Sequence, residues 1–331
     1  MFAQAVEKIL RDHCPAAVVR AIEQGAAPGP LWQAIEGAGF LELLTSEEHG
    51  GAGLALAEMF DVLVLFGRHA LPVPAGQAIL ARAVLPAACA PTGLLTLAPR
   101  LLRAADGTWS CPLVPFGEQA THVLAGDGAG WVLLDAGQAT RVKPDMPGVQ
   151  SASLVWQDGS AVVQAGPLAR PDLLDTLGAA LHAALIVGAL QKVFELTLAH
   201  CNDRVQFGRP LGQFQAVQHR LALMAEHLAA ASLATQAAFA GPGPAPGAWP
   251  AALAKARASA AADFVSAGAH ALHGALGVTE DHDLQLYTRR LHAWRMAHGS
   301  EVWWHRRIGE AVLQSKLSLT GFVSESEGAP P

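Results

Sequence analysis

The stretch Arg204-Val205-Gln206-Phe207-Gly208-Arg209-Pro210-Leu211-Gly212-Gln213-Phe214-Gln215-Ala216-Val217-Gln218 holds the residue types best suited to gripping an anion. It lies between two long helical patterns and reads as helix end, tight loop and helix start. Gly208 can take the positive φ of a turn, and Pro210 presets φ for a turn or a first helical position. Two arginines then stand beside a helix N-terminus, where free N–H groups favour negative charge. An ordinary connection with solvated arginines satisfies the same spacing, and the spacing alone names no ligand.

Other candidate chemistry is thinner. Thr45-Ser46-Glu47-Glu48-His49-Gly50-Gly51-Ala52-Gly53 is Gly-rich but follows no strand, so a plain turn is favoured over a dinucleotide fingerprint. Among 14 histidines, pairs such as His270 and His273 have helical spacing. No third ligand is spaced to complete a metal site. No serine sits in a nucleophile-elbow pattern. Cys14, Cys89, Cys111 and Cys201 lack CxxC spacing and read as free thiols of a reducing, cytoplasmic setting.

At 331 residues the chain can bury a large core or two to three small ones. Apolar residues make up 51% and charged residues 15%, leaving surface for another subunit to cover. A net charge of −6 without a basic run argues against nucleic acid and anionic membranes as partners. The most apolar run, Leu177–Leu190, contains His182 and reads as too short to cross a bilayer.

The elements that would position these residues fall into three parts. Residues 1–92 read as helices, with stripes Phe2, Val6, Ile9, Leu10 and Leu31, Ile35, Phe40. Residues 93–167 carry short apolar runs between the turn signals Asp106-Gly107, Asp127-Gly128-Ala129-Gly130 and Asp158-Gly159. They read as a small antiparallel β domain in which Val123–Ala125 and Trp131–Leu134 form a hairpin. Residues 168–323 return to helix as a four-helix bundle, with helices expected at Leu173–His200, Gln213–Ala240, Ala251–His270, Leu284–Arg307 and Ile308–Leu319. Phe214, Val217, Leu221, Met224, Leu228 and Ala231 form a heptad seam that reaches polar Thr235. Gly241–Gly247 reads as a stiff connector and 324–331 as a flexible tail. The fold class is mainly α with a small β domain.

Two of these motifs resemble the acyl-CoA dehydrogenase family. Arg204–Gln215 is similar to that family's R-x-x-F-G-x-x-x-x-x-F-Q signature. His273-Gly274-Ala275-Leu276-Gly277-Val278-Thr279-Glu280-Asp281-His282-Asp283-Leu284 is similar to its H-G-G-x-G-x-T-x-x-H-D-L loop. Glu47–Gly53 resembles its P-E-x-x-G-G-x-G turn without the proline. Order, separation and the three-part layout agree, and the likeness is strongest over 200–300.

The resemblance implies FAD held in an extended form across a subunit interface. Arg204 would meet the pyrophosphate and Phe207 the adenine side, with Gln206, Gly208, Phe214 and Gln215 at neighbouring contacts. His273, Gly274 and Gly277 would approach the pyrophosphate from a partner subunit. Ala275 replaces one glycine there, and His273 also suits a capping or core role. The family's chemistry removes a Cα proton with a carboxylate while the flavin takes a hydride from Cβ of an acyl-CoA thioester. The usual base is the Glu of an E-G-T triplet; here the matching triplet is His298-Gly299-Ser300, with Ser300 at a cofactor-side position. The family's other base position falls near Gly178, with Asp175 the nearest carboxylate. Thr96-Leu97-Ala98-Pro99 is a remnant of the flavin-ring segment.

His298 can be read as a base, as a shaper of the pocket, or as the mark of an altered site, the last being favoured. The leading expectation is one subunit of a hetero-oligomeric, FAD-dependent acyl-CoA dehydrogenase. A related subunit would supply the missing base, and the acyl groups would be bulky ones such as steroid side chains. An electron-transfer flavoprotein or similar acceptor would take the electrons. The alternatives are a homo-oligomeric dehydrogenase with an unusual base and a non-catalytic structural or acyl-CoA-binding subunit.

Overall fold

A computed structural model describes residues 2–144, 150–241, 243–318 and 320–322; the expected tail at 324–331 lies outside them. Five helices open the chain: α1 (Phe2–His13), α2 (Ala16–Glu23), α3 (Gly29–Gly37), α4 (Leu56–Arg68) and α5 (Ala75–Val84). Val6, Leu10, Leu31 and Ile35 are buried as the stripes require, whereas Phe2 sits at the exposed edge. The Thr45–Gly53 loop closes on itself, and a Cβ on Gly51 would lie 2.1 Å from the Thr45 carbonyl oxygen.

Eight strands follow: β1 (Leu95–Leu97), β2 (Leu102–Arg103), β3 (Trp109–Val114), β4 (His122–Gly126), β5 (Gly130–Asp135), β6 (Thr140–Val142), β7 (Ala152–Trp156) and β8 (Val162–Pro167). They form two four-stranded sheets ordered β1-β4-β5-β8 and β2-β3-β7-β6. The expected hairpin is β4–β5, in antiparallel register from His122 opposite Asp135 to Gly126 opposite Trp131. One pair, β1–β4, is parallel. The strands flanking Asp158-Gly159 separate, β7 joining β3 and β6 while β8 joins β5.

Side-chain alternation explains why the first sheet is buried on both faces. Leu124, Trp131 and Leu133 pack into the helical core, whereas Val123, Val132 and Leu134 pack against the second sheet's Cys111, Leu154 and Trp156.

The helical C-terminal part begins with α6 (Leu173–Asp203), the longest element. A two-strand turn, β9 (Val205–Gln206) and β10 (Arg209–Pro210), leads to α7 (Gln215–Phe239), then α8 (Ala248–His273). Leu221, Met224, Ala231 and Thr235 are buried along the α7 seam, and Thr235 returns its hydroxyl to the Ala231 carbonyl. Two expectations need correction here. Leu284–Arg307 is not one helix: α9 (Leu284–Met296) ends, and α10 (Glu301–Ser315) starts after a break in left-handed backbone at His298 and Gly299. By length and hydropathy α6 also passes as a membrane span, but 94% of its apolar window is buried inside the fold.

Glycines let α6 sit at the centre. A Cβ on Gly188 would lie 1.9 Å from the Val64 carbonyl oxygen, and one on Gly67 of α4 would lie 2.0 Å from that of Leu185. The two backbones touch at these points. Gly188→Ala should therefore force α4 from α6 and cost about 1–3 kcal/mol or more. Gly309→Ala on α10, where nothing lies within 4 Å, should stabilise by about 0.5–1 kcal/mol. Urea unfolding of the two variants reads both signs.

Candidate functional site

The α9–α10 break is a built structure. Ala297 is extended, His298 has φ +52° and Gly299 φ +93°. Ser300 caps α10 by accepting the Trp303 N–H, and the Trp304 indole donates to the His298 carbonyl at 3.0 Å. From α8, buried Lys255 donates to the Arg295 carbonyl (2.8 Å), the Gly299 carbonyl (2.8 Å) and Ser259 Oγ (2.9 Å). Three acceptors match the three N–H groups of an ammonium. Burial nevertheless pulls the Lys255 pKa down to about 7.

The break brings together the two positions at which the family resemblance places a base. The His298 ring is 5% exposed and lies against Gly178 of α6, where an added Cβ would fall 2.0 Å from Nδ1. It stacks on His182, with ring centroids 5.1 Å apart. The His182 Nδ1–H donates to the Gly178 carbonyl at 2.8 Å. Neither nitrogen of His298 has a hydrogen-bond partner. Burial, reinforced by the Lys255 charge, drives its pKa to about 3, and the Leu97 carbonyl, outside hydrogen-bonding geometry, offsets little of this. An imidazole with so little affinity for a proton is a poor base near neutral pH, so the geometry favours the pocket-shaping reading.

Glu301 is not a free carboxylate. It opens α10 and is paired to Arg295 at 2.5 Å, whose hydrogen bonds hold its carboxyl near pKa 2. Asp175 differs. It stands in the first turn of α6 and borders a cavity of about 640 Å³ between the β domain and the break. Pro99, Arg100, Leu113, His298 and Ser300 also line that cavity. Burial raises the Asp175 pKa, with Arg307 and Arg100 pulling back. Sequence reasoning named Asp175 only as a near neighbour and missed Lys255, whose one signal is a lysine inside an alanine-rich helix.

The arginine loop lies at the other end of α6, whose 31 residues span roughly 46 Å. Phe207 and Gly208 form a two-residue turn between β9 and β10, both at positive φ. Phe207 is 92% exposed, and Arg204, Gln206 and Gln215 are exposed as well. The Arg209 guanidinium lies 4.1 Å over the Phe214 ring. No side chain caps the start of α7. An exposed guanidinium near a free helix N-terminus fits a pyrophosphate.

The second loop reaches the same end of α6. His273 stacks on His200, one turn before Arg204, with centroids 4.3 Å apart. Its Nδ1–H donates to the Ala269 carbonyl, and burial lowers its pKa to about 4. Gly274 is exposed at φ +60°, whereas Gly277 is buried, and a Cβ there would meet His273 and Leu284. Gly277 is thus a packing glycine within the chain. The ring end fits FAD poorly, because the buried Thr96 hydroxyl is taken by the Pro115 carbonyl at 2.7 Å. Among the described residues no group of three His, Cys, Asp or Glu can hold a metal.

The neutral state of His298 has a measurable consequence. Its folded pKa of about 3 lies below the ordinary 6.5, so the unfolded chain takes up the proton first. The stability it contributes is complete above pH 6.5 and is lost as pH falls toward 3, by about 1.4 kcal/mol per pH unit. From pH 7 to 5 the wild type should lose about 2 kcal/mol more than His298→Gln in urea unfolding; equal losses would contradict a buried neutral ring.

Comparison with known proteins bears on the family and the fold. Residues 1–86 match the acyl-CoA dehydrogenase N-terminal domain, and residues 176–313 match the C-terminal domain. Acyl-CoA dehydrogenase IpdE2 of Mycolicibacterium smegmatis is 33% identical over 302 residues, covering 88% of this chain and 91% of that protein. The protein of the same name from Mycobacterium tuberculosis is 32% identical over 304 residues, covering 88% and 90%. The ChsE4–ChsE5 complex from Mycobacterium tuberculosis has the same fold, with a TM-score of 0.81 at 22% identity and 96% of each chain covered. A variant of the Tcur3481–Tcur3483 steroid ACAD gives 0.81 at 25% identity, over 96% of this chain and 98% of that one. With two domain matches, relatives aligned over nearly their whole length and the same three-part fold, the chain belongs to the acyl-CoA dehydrogenase family.

Proposed function

We propose that this chain takes part in FAD-dependent α,β-dehydrogenation of an acyl-CoA thioester, as one subunit of an oligomer that includes a related chain. The observation that carries this reading is the separation of parts along α6. The exposed Arg204–Phe207 turn and the cavity at His298 lie at opposite ends of a helix roughly 46 Å long. One pocket cannot use both, so the turn serves a cofactor whose reactive end lies in another subunit.

FAD, when bound, supplies the hydride acceptor. This chain's contribution is to hold its diphosphate: Arg204 offers a guanidinium fork, the uncapped start of α7 offers N–H groups, and Phe207 offers a flat apolar face. The related chain, with a complete flavin-ring segment and a carboxylate base, completes the site that the turn serves. The resemblance to the ChsE4–ChsE5 complex and to a paired steroid ACAD supports such a pairing and points to bulky acyl groups. An electron-transfer flavoprotein or similar carrier is the acceptor that suits this chemistry.

A second reading has its own observation. Neither Gly178 nor His298 offers a carboxylate, which suits a subunit that binds acyl-CoA and stabilises its partner without oxidising the ligand. The absorbance spectrum of the complex separates the two readings, since a colourless complex favours the second.

Arg204→Gln in the complex should weaken FAD by about 10- to 100-fold, the loss of a charge-assisted contact of about 1.5–3 kcal/mol, with melting of the flavin-free protein unchanged. Flavin fluorescence titration measures this. Unchanged affinity, or full FAD loading and thioester oxidation by the lone chain, would contradict the shared site.

A further inference from the structure

The cavity at the other end of α6 belongs to this chain, and its chemistry is separate from the contribution of the arginine turn. One of the two family base positions holds a histidine, and that histidine closes the other to any side chain. The His298 ring occupies the space that any side chain at residue 178 would need. A carboxylate nevertheless stands on the same helix, one turn nearer the N-terminus. We propose that Asp175 is the proton acceptor of this cavity, a catalytic base displaced by three residues from the position that His298 has filled. The inference rests on the second reading above, in which this chain itself binds acyl-CoA, with the cavity as its site.

Geometry carries the assignment. Residues three apart on a helix share a face, so Asp175 is presented beside Gly178 and borders the cavity with His298 and Ser300. The neighbouring acids are committed elsewhere. Asp172 pairs with Arg170 at 3.3 Å, while Asp263 and Glu301 both pair with Arg295. Asp175 alone among them makes no hydrogen bond or ion pair among the described residues. The blander role for an acid in the first turn of a helix is to meet free N–H groups or solvent. Asp175 makes no such N–H bond, is half-buried and faces a cavity also lined by Pro99, Leu113 and Met296. Arg100, from the β1–β2 loop, and Arg307 of α10 bias it toward the charged form, while burial raises its affinity for a proton.

The step is a proton transfer. The Cα–H bond of the bound acyl thioester breaks, the proton passes to a carboxylate oxygen of Asp175, and the electron pair stays on the acyl group as the thioester enolate. No oxidant is consumed. Reversal in heavy water returns a deuteron to Cα, so the step can be followed without hydride transfer.

The test uses the full chain in heavy water, with butyryl-CoA, octanoyl-CoA and a polycyclic acyl-CoA as probes and mass spectrometry of Cα deuterium as the readout. Wild-type protein should exchange at least one of them. Asp175→Asn should slow that exchange at least about 100-fold, with acyl-CoA affinity within about threefold and the same melting temperature, and Asp175→Glu should restore part of the rate. Exchange by Asp175→Asn at the wild-type rate overturns the assignment, as does a wild-type chain that binds acyl-CoA but exchanges none of the probes. Failure of the underlying reading is distinct: the chain then binds no acyl-CoA at all, with residue 175 intact or changed.

Discussion

The structure depends on two positions of α6 that carry no side chain. Gly188 lets the α4 backbone press onto α6, and Gly178 lets an imidazole do the same from the α9–α10 break. Each contact is closer than any Cβ allows, so each fixes a distance rather than merely filling space. Through the first, the N-terminal helices are held to the C-terminal helices. Through the second, the break is held over the start of α6, where it meets the β domain and closes the cavity.

Polar contacts then hold the break in the one conformation that this packing permits. Lys255 reaches carbonyls on both sides of it, Ser300 starts the next helix, and Glu301 ties back to Arg295. A left-handed non-glycine residue such as His298 is held by its surroundings, not by its own preference. Here they are a stacked histidine, a glycine and a buried ammonium. They leave His298 uncharged, and they leave the free carboxylate of the cavity one turn further along α6. The other end of that helix has opposite properties: exposed cation, exposed aromatic ring and uncapped helix start. One helix therefore bears a cavity at one end and an open, cationic turn at the other.

Much of this was legible from residue order. The short apolar runs on either side of Asp127-Gly128-Ala129-Gly130 foretold a hairpin, and the seam from Leu221 to Thr235 foretold the buried line of α7. Gly208 and Pro210 marked the turn, although the positive φ of Phe207 has no sequence signal. The break at 297–300 was missed because apolar helix-formers continue across it, and only Gly299 hints at an interruption. The contact of His298 with Gly178 joins positions 120 residues apart, and no local pattern encodes it. Resemblance named the two base positions separately; folding shows that they are one place. The reading of the apolar run in α6 as too short for a membrane fails because the helix extends well beyond it, and 94% of its apolar window is buried inside the fold.

The central claim is that the arginine turn serves a cofactor whose reactive end lies in another subunit. A structure of the chain in complex with a related subunit and FAD tests it most directly. The account predicts Arg204 in hydrogen-bonding contact with the diphosphate of a flavin whose ring is seated in the other chain. A flavin bound wholly within one chain, with Arg204 and Phe207 left facing solvent, would contradict it.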